Sequence, residues 1–266
     1  MNRTMLSAVA VAALVYIGLC AAVFLFQRSL MYFPTPPSAP QRGAGALALP
    51  VDGARVVVTS LNRHLPDAVV YFGGNAEDVN YSLPDLASAF PDHGIYLMQY
   101  RGYGESTGKP SEPALAADAL ALYDTIRPHH RSIMVVGRSI GAGIALRLAS
   151  ARPVERLVLV TPFDSAADVA ARHYPFVPAR LLLRDKYESA PYASAVTVPT
   201  TLIVAERDEI VPRSSVERLL ARFPKGIATL AVVPGTGHNT ISASPQYLPL
   251  LKRVASGRPH CEGRNP

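Results

Sequence analysis

Residues 132–151 read SIMVVGRSIGAGIALRLASA. Ile133–Val136 is a continuous apolar run, the signature of a strand buried on both faces. Residues 140–151 are predicted as a helix. The turn between them is Gly137-Arg138-Ser139-Ile140-Gly141, a G-x-S-x-G pattern at a strand-to-helix junction. Such a turn lifts a serine hydroxyl clear of the sheet. Gly137 and Gly141 have the small volume it needs, and Gly143 is expected to let the helix approach the sheet. Ser139 is therefore the candidate nucleophile. The pattern recurs at Gly104-Glu105-Ser106-Thr107-Gly108, but Ser106 follows a polar loop and is trailed by Pro110 and Pro113, so no helix can start directly after it.

The surrounding segments repeat the same alternation. Strands are expected at Ala68–Phe72, Ile95–Tyr100, Arg156–Val160, Thr200–Ala205 and Ala228–Val233. Helices are expected at Pro113–Ile126, Val216–Phe223 and Gln246–Val254. Near-continuous apolar strands separated by helices predict an α/β fold, a mostly parallel sheet with helices on both faces. The Pro- and aromatic-rich stretch 163–198 interrupts the alternation and reads as a small lid.

The chain has 266 residues, 49% of them hydrophobic and 17% charged, which excludes intrinsic disorder. The net charge of +6 is spread over single and paired basic residues. No nucleic-acid partner is expected from it, whereas an anionic lipid surface fits. Met5–Phe26 carries no charge and, at about 1.5 Å per residue, is long enough for a bilayer core of about 30 Å. It reads as an uncleaved single-pass anchor. A signal peptide is the rival, but the apolar run continues past Ala21 and Ala22 for longer than a signal core needs. Lipoprotein processing at Cys20 is disfavoured by the bulky Leu19. Arg3 on one side and Arg28 and Arg42 on the other leave the orientation open. The expected organisation is an anchor over 1–27, a Pro-rich linker over 28–50, a catalytic domain over 51–256 and a polar tail over 257–266. The two cysteines, Cys20 and Cys261, fall in the anchor and the tail, so neither a disulfide nor a cysteine metal site is expected in the domain.

A serine hydroxyl needs a positioned base. Of the seven histidines, His238 in GTGHNT directly follows the last strand, where a catalytic loop would end; His129 and His130 lie in a turn read as polar, and His173 in the lid. The acid that orients the imidazole should lie between Ser139 and His238. Asp208 in AERDEIVP is best placed, with Glu206 and Glu209 flanking it and Asp164 in TPFD as the rival. Two backbone N–H groups should meet the developing oxyanion. The first is that of Ile140. The second is expected from Asn75 in YFGGNAED. A phosphate cradle is a poorer reading of that loop, which lacks G-x-x-x-x-G-K-[ST] and a nearby lysine.

Taken together, FQRSLMYFPTP, YFGGNAEDV, QYRGYGESTGKPSE, GRSIGAGIA, AERDEIVP and GTGHN resemble, in order, the alpha/beta-hydrolases of the serine aminopeptidase-like grouping. The branch most similar contains the protein depalmitoylases and their membrane-anchored bacterial relatives. The resemblance implies the alpha/beta-hydrolase fold, Ser139, Asp208 and His238 as a catalytic triad, Asn75 and Ile140 as oxyanion donors, no cofactor and no metal. It gives QYRGYGES a structural place beside the site. Two departures stand out: many relatives carry His where this chain has Gly73, and the depalmitoylases are tethered through acylated cysteine clusters where this chain has one Cys in an apolar stretch. The expected activity is hydrolysis of an acyl ester or thioester of a small molecule, a lipid or an acylated substrate beside membrane lipid. The alternatives are a peptidase or amidase of the same fold and a non-catalytic anchored binding module.

Overall fold

The computed structural model describes residues 2–256; the expected tail 257–266, with His260 and Cys261, lies outside the described residues. The chain opens with a single long helix, α1 (Arg3–Met31), then a segment without regular structure. The remaining elements are β1 (Gly45–Val51), β2 (Ala54–Leu61), β3 (Asp67–Phe72), α2 (Leu83–Ala89), β4 (His93–Met98), α3 (Glu112–Ile126), β5 (Ser132–Arg138), α4 (Ile140–Ala151) and β6 (Arg156–Val160). After these come α5 (Ala166–His173), α6 (Ala179–Leu182), α7 (Ala190–Ala193), β7 (Thr200–Ala205), α8 (Arg213–Leu220), β8 (Ala228–Val233) and α9 (Tyr247–Ala255).

The eight strands form one sheet in the order β1-β2-β4-β3-β5-β6-β7-β8. The last six in that order run parallel, as the apolar strand pattern predicts, while β1–β2 and β2–β4 pair antiparallel. Alternate residues of each central strand point to opposite faces. Val70, Phe72 and Val135 join the core under α3 and α4; Val69, Tyr71, Met134 and Val136 join the core under α2 and α9. Both faces are therefore dry. A fully buried Leu146 or Leu97 stabilises by about 2 kcal/mol relative to exposure.

The order also fixes where a site can form. From β3 the chain crosses to β4 on one side and later returns to place β5 on the other. The strand order reverses there, and in open α/β sheets such a reversal marks the carboxyl ends of the strands as the place where ligands bind. Phe72 and Gly137 are register partners at this point.

Two boundaries differ from the sequence expectation. Residues 45–50, assigned to the linker, belong to strand β1, which pairs with β2 through the two-residue turn Asp52-Gly53. The helix read as ending at 27 continues to Met31 because nothing before Phe33-Pro34 breaks it. The segment after it is held to the domain: the Gly104 N–H donates to the Thr35 carbonyl, and Asn80 Nδ2 to Ser38 Oγ at 2.8 Å.

The end of α1 is bolted to the segment that leads out of α6. Arg28 makes a two-pronged ion pair with Asp185 at 2.9 and 3.1 Å. The buried Tyr32 hydroxyl bonds both Asp185, at 3.1 Å, and the Tyr187 hydroxyl, at 2.8 Å. Gln27, the buried residue of α1, donates to the Leu182 carbonyl and accepts from the Arg184 N–H. Within 163–198 the second half is thus core, with Tyr187, Ala193 and Val196 buried, and the part projecting outward is the tip between α5 and α6.

Candidate active site

Ser139 sits between β5 and α4 with φ 52° and ψ −118°. A non-glycine residue held there is strained, and the strain is maintained by packing on both sides. A Cβ on Gly141 would lie 2.2 Å from the Phe72 carbonyl oxygen, and one on Gly137 would lie 2.4 Å from the Gly141 carbonyl oxygen. Larger residues at either position would force the turn open. Gly143 plays a different part from the one expected: it faces the Tyr187 ring, 3.1 Å from where its Cβ would be, and so admits the lid segment rather than the sheet.

The turn brings the Ser139 hydroxyl 3.0 Å from His238 Nε2. On the other side of the ring, His238 Nδ1 lies 2.9 Å from Asp208 Oδ2 and 3.1 Å from Oδ1. Nδ1–H therefore donates to the carboxylate, which leaves Nε2 as the acceptor for the serine proton. His238 is buried, and the Asp208 carboxylate is fixed by the N–H groups of Ile210 and Val211 at 3.0 and 2.7 Å. The three residues come from loops after three different strands, β5, β7 and β8.

The other sequence candidates are placed elsewhere. Asp164 accepts from Ser215 Oγ and Arg218 Nε, both at 2.5 Å, so its oxygens are committed to α8 rather than to an imidazole. Glu206 accepts from the Gly235 N–H at 2.8 Å. Glu209 accepts from the His238 N–H at 3.0 Å and so holds the backbone of the histidine loop, not its ring. Ser106 is buried between the Val57 N–H and the Gln99 carbonyl, each at 2.8 Å, and serves as a staple between loop and sheet. His130, read as part of a polar turn, is instead buried, between the Leu65 carbonyl and the Tyr96 hydroxyl.

The loop after β3 lies against the nucleophile. A Cβ on Gly74 would be 3.7 Å from the Ser139 Cβ. Among the described residues, the N–H groups of Asn75 and Ile140 make no hydrogen bond to another protein group. The Asn75 side chain is held at both ends: Nδ2 donates to the Met31 carbonyl at 2.6 Å, and Oδ1 accepts from the Tyr103 hydroxyl at 2.6 Å, the Phe33 N–H at 3.0 Å and the Ala76 N–H at 3.1 Å. The RGYGES loop thus braces this one, and Tyr100 adds a 2.7 Å bond to the Gly73 carbonyl. Arg101 in turn is clamped by the buried Asp118, two bonds of 2.7 Å each.

This fold matches known proteins along nearly its whole length. The sequence profile of the alpha/beta hydrolase family matches residues 72–196. An uncharacterized protein of Mycobacterium tuberculosis is 37% identical over 254 residues, covering 88% of each chain. The chain belongs to the alpha/beta hydrolase family. Alpha/beta hydrolase domain-containing protein 17C of Xenopus tropicalis is 33% identical over 166 residues, 61% of this chain and 52% of that protein, so this chain spans about half of it. Among solved structures, an esterase of Pyrococcus furiosus superposes with a TM-score of 0.65 at 16% identity, covering 85% of this chain and 96% of that one. A thioesterase domain from the curacin biosynthetic pathway gives 0.57 at 16% identity, covering 80% and 98%. At these identities the two structures speak for the fold alone.

Within this hydrolase frame, the structure adds residues that sequence reasoning passed over. Glu77 accepts from the Gly74 N–H at 2.7 Å, from the Tyr71 and Ser82 hydroxyls at 2.6 and 2.8 Å, and from Arg138 Nη1 at 3.2 Å. Arg138 also approaches the His238 carbonyl at 3.5 Å. Burial opposes the Arg138 charge, yet Glu77 and the neighbouring phenols hold its pKa above the ordinary arginine value. The Arg138–Glu77 pair therefore links the nucleophile turn, the loop after β3 and the histidine loop. Arg138 stands inside the G-x-S-x-G pattern, so its position was a signal; its partner lies 61 residues away, and no local spacing marks it. Among the described residues, no group of three or more His, Cys, Asp or Glu side chains is arranged to hold a metal ion.

Proposed function

We propose that this protein is a membrane-anchored serine hydrolase that cleaves acyl esters or thioesters through a covalent acyl-enzyme. The observation that carries the reading is the hydrogen-bonded series Ser139 Oγ–His238 Nε2–Asp208, at 3.0 and 2.9 Å, on a strained turn. In this reading Ser139 Oγ attacks the acyl carbonyl while His238 Nε2 takes its proton. Asp208 keeps the ring in the Nδ1–H tautomer and favours the imidazolium. The negative charge on the carbonyl oxygen meets the N–H groups of Ile140 and Asn75. His238 then returns the proton to the leaving alcohol or thiol as its bond to the acyl carbon breaks. Water, deprotonated by His238, attacks the acyl-enzyme, and Ser139 leaves with the proton restored.

Helix α1 is the proposed anchor. No residue of its long apolar window is buried by the domain. Bilayer lipid is then a partner of the protein, and the hydrolase domain hangs from the Met31 end.

A fluorophosphonate probe tests the chemistry. Wild type should label covalently and Ser139→Ala should not, with turnover of p-nitrophenyl acyl esters falling by about 10⁴-fold or more in the variant. Absence of labelling in both would leave an anchored binding module. A panel of esters, thioesters and aminoacyl anilides then separates acyl hydrolysis from amide cleavage; faster turnover of the anilides would replace the esterase reading by that of a peptidase or amidase.

A further inference from the structure

The lid tip between α5 and α6 reads Tyr174-Pro175-Phe176-Val177-Pro178 and carries no charge; the charge that follows it, Arg180 on α6, is paired with Asp168 of α5. Phe176 is 85% exposed, and Leu181 on α6 78%. Large apolar side chains this open, five residues apart on one short segment, signal a surface that meets something apolar. What they meet follows from their position along α1. The Tyr16 hydroxyl of α1 donates to the Phe176 carbonyl at 3.0 Å, and Gln27 Nε2 donates to the Leu182 carbonyl at 3.1 Å. The segment 176–182 therefore runs alongside the helix from Gln27 back to Tyr16.

Helix rise then decides the matter. Tyr16 lies ten residues from Phe26, about 15 Å along the axis, which is the middle of a hydrocarbon core about 30 Å thick. If the lid tip stood outside the membrane, α1 from Tyr16 onward would stand outside with it. Only Met5–Val15 would remain, about 17 Å of helix, half of what a crossing needs. A spanning α1 and a lid tip in water are incompatible.

We propose that the lid tip, centred on Phe176 and Leu181, is embedded in the same leaflet as the Met31 end of α1, and that the site draws its acyl substrate from the hydrocarbon phase. This inference rests on α1 being a membrane anchor. Most of the tip's backbone is paired within the protein, the Phe176 N–H being the donor left over. Pro175 and Pro178 have no N–H to leave unpaired, the Val177 N–H donates to the Tyr174 carbonyl, and the Phe176 carbonyl is satisfied by Tyr16. The root of the tip touches the catalytic loops: His173 Nε2–H donates to the Ile210 carbonyl at 2.8 Å, and Ile210 N–H donates to Asp208. An acyl chain lying along the tip would thus end beside the acid loop with its carbonyl toward Ser139.

The chain contains no tryptophan, which makes the test direct. Full-length Phe176→Trp and, separately, Leu14→Trp on α1 are reconstituted into phospholipid vesicles with the acyl chains brominated midway. Bromine quenches only an indole that reaches it. The proposal expects blue-shifted emission and strong quenching from both variants. Quenching of Leu14→Trp alone overturns the embedded lid and leaves the anchor standing. Quenching of neither overturns the anchor and the lid together. The substrate route is read with Phe176→Asp in vesicles carrying a long-chain acyl ester: the apparent KM should rise by about fivefold or more, with fluorophosphonate labelling of Ser139 retained. Labelling retained with an unchanged KM refutes delivery from the bilayer; wild type that does not label refutes the serine mechanism instead. The Trp readout stands whether or not the Asp variant folds.

Discussion

Replacing Asn75 by Ala cuts the joint between the end of α1 and the loop after β3. The bonds from the Phe33 and Ala76 N–H groups lie in exposed positions, where water takes their place at little cost. The bonds to the Met31 carbonyl and from the Tyr103 hydroxyl, both 2.6 Å, are partly buried. At about 1 kcal/mol net for each, with up to about 1 more for a Tyr103 hydroxyl left without its acceptor, the loss is about 2–3 kcal/mol. For a chain of this size that lowers Tm by roughly 4–12 °C. The proposed oxyanion donor, the Asn75 backbone N–H, survives the substitution chemically but loses the side-chain clamp that aims it. If about 1–2 kcal/mol of the lost order falls on the transition state, kcat drops roughly 5- to 30-fold. KM should change little, because a neutral ground-state carbonyl gains less from that N–H than the oxyanion does. The assay is steady-state hydrolysis of a p-nitrophenyl acyl ester by the purified full-length protein, with thermal unfolding followed in the same detergent. A variant whose Tm falls as calculated while kcat stays within about twofold of wild type would show that the side chain clamps the fold without aiming the donor.

Asp208→Asn should lower kcat by about 10³-fold or more through loss of the tautomer lock, whereas Asp164→Asn should lower Tm and leave kcat within about threefold; the reverse pattern would move the acid to Asp164. Burial holds the His130 imidazole below the ordinary histidine pKa, with the Leu65 carbonyl opposing. The unfolded chain thus takes up the proton first on acidification, and the stability contributed by neutral His130 is complete above about pH 6.5 and is lost as the pH falls from there toward the folded pKa. Between about pH 7 and pH 5, wild type should therefore lose more Tm than His130→Gln, and parallel curves would refute the assignment. A Cβ on Gly73 would lie 2.6 Å from Val79 Cγ1, so Gly73→His should destabilise by about 1–3 kcal/mol in denaturant unfolding, with Val79→Ala restoring part of it.

The parallel part of the sheet was legible because β3 to β8 are short apolar runs between helices, a pattern with few other solutions. The loops bearing Ser139, Asp208 and His238 were legible for a related reason: each follows directly on a strand, so chain order alone aims them at one rim. The hairpin of β1 and β2 escaped because the Pro-rich stretch before it suggested a linker as far as residue 50. The Asp52-Gly53 dipeptide between GALALPV and ARVVVTSL was the available signal, since a two-residue turn of that composition joins antiparallel strands. Glu77, and the Arg28–Asp185–Tyr32 cluster, could not have been found this way. Their partners lie 61 and 157 residues distant, and a lone sequence carries local pattern but no record of which distant polar groups meet.

The backbone contact at Gly141 sets limits on how this protein can be redesigned. The start of α4 is pressed directly on the carbonyls that end β3, with no side chain between them to trim or enlarge. The nucleophile turn and the loop facing it consequently behave as one solid piece, and a library of substitutions there would return mostly inactive clones. Selectivity has to be retuned where the packing is loose, at Tyr174, Phe176, Leu181 and Ile210, whose exposed side chains can change size without disturbing the solid piece beneath.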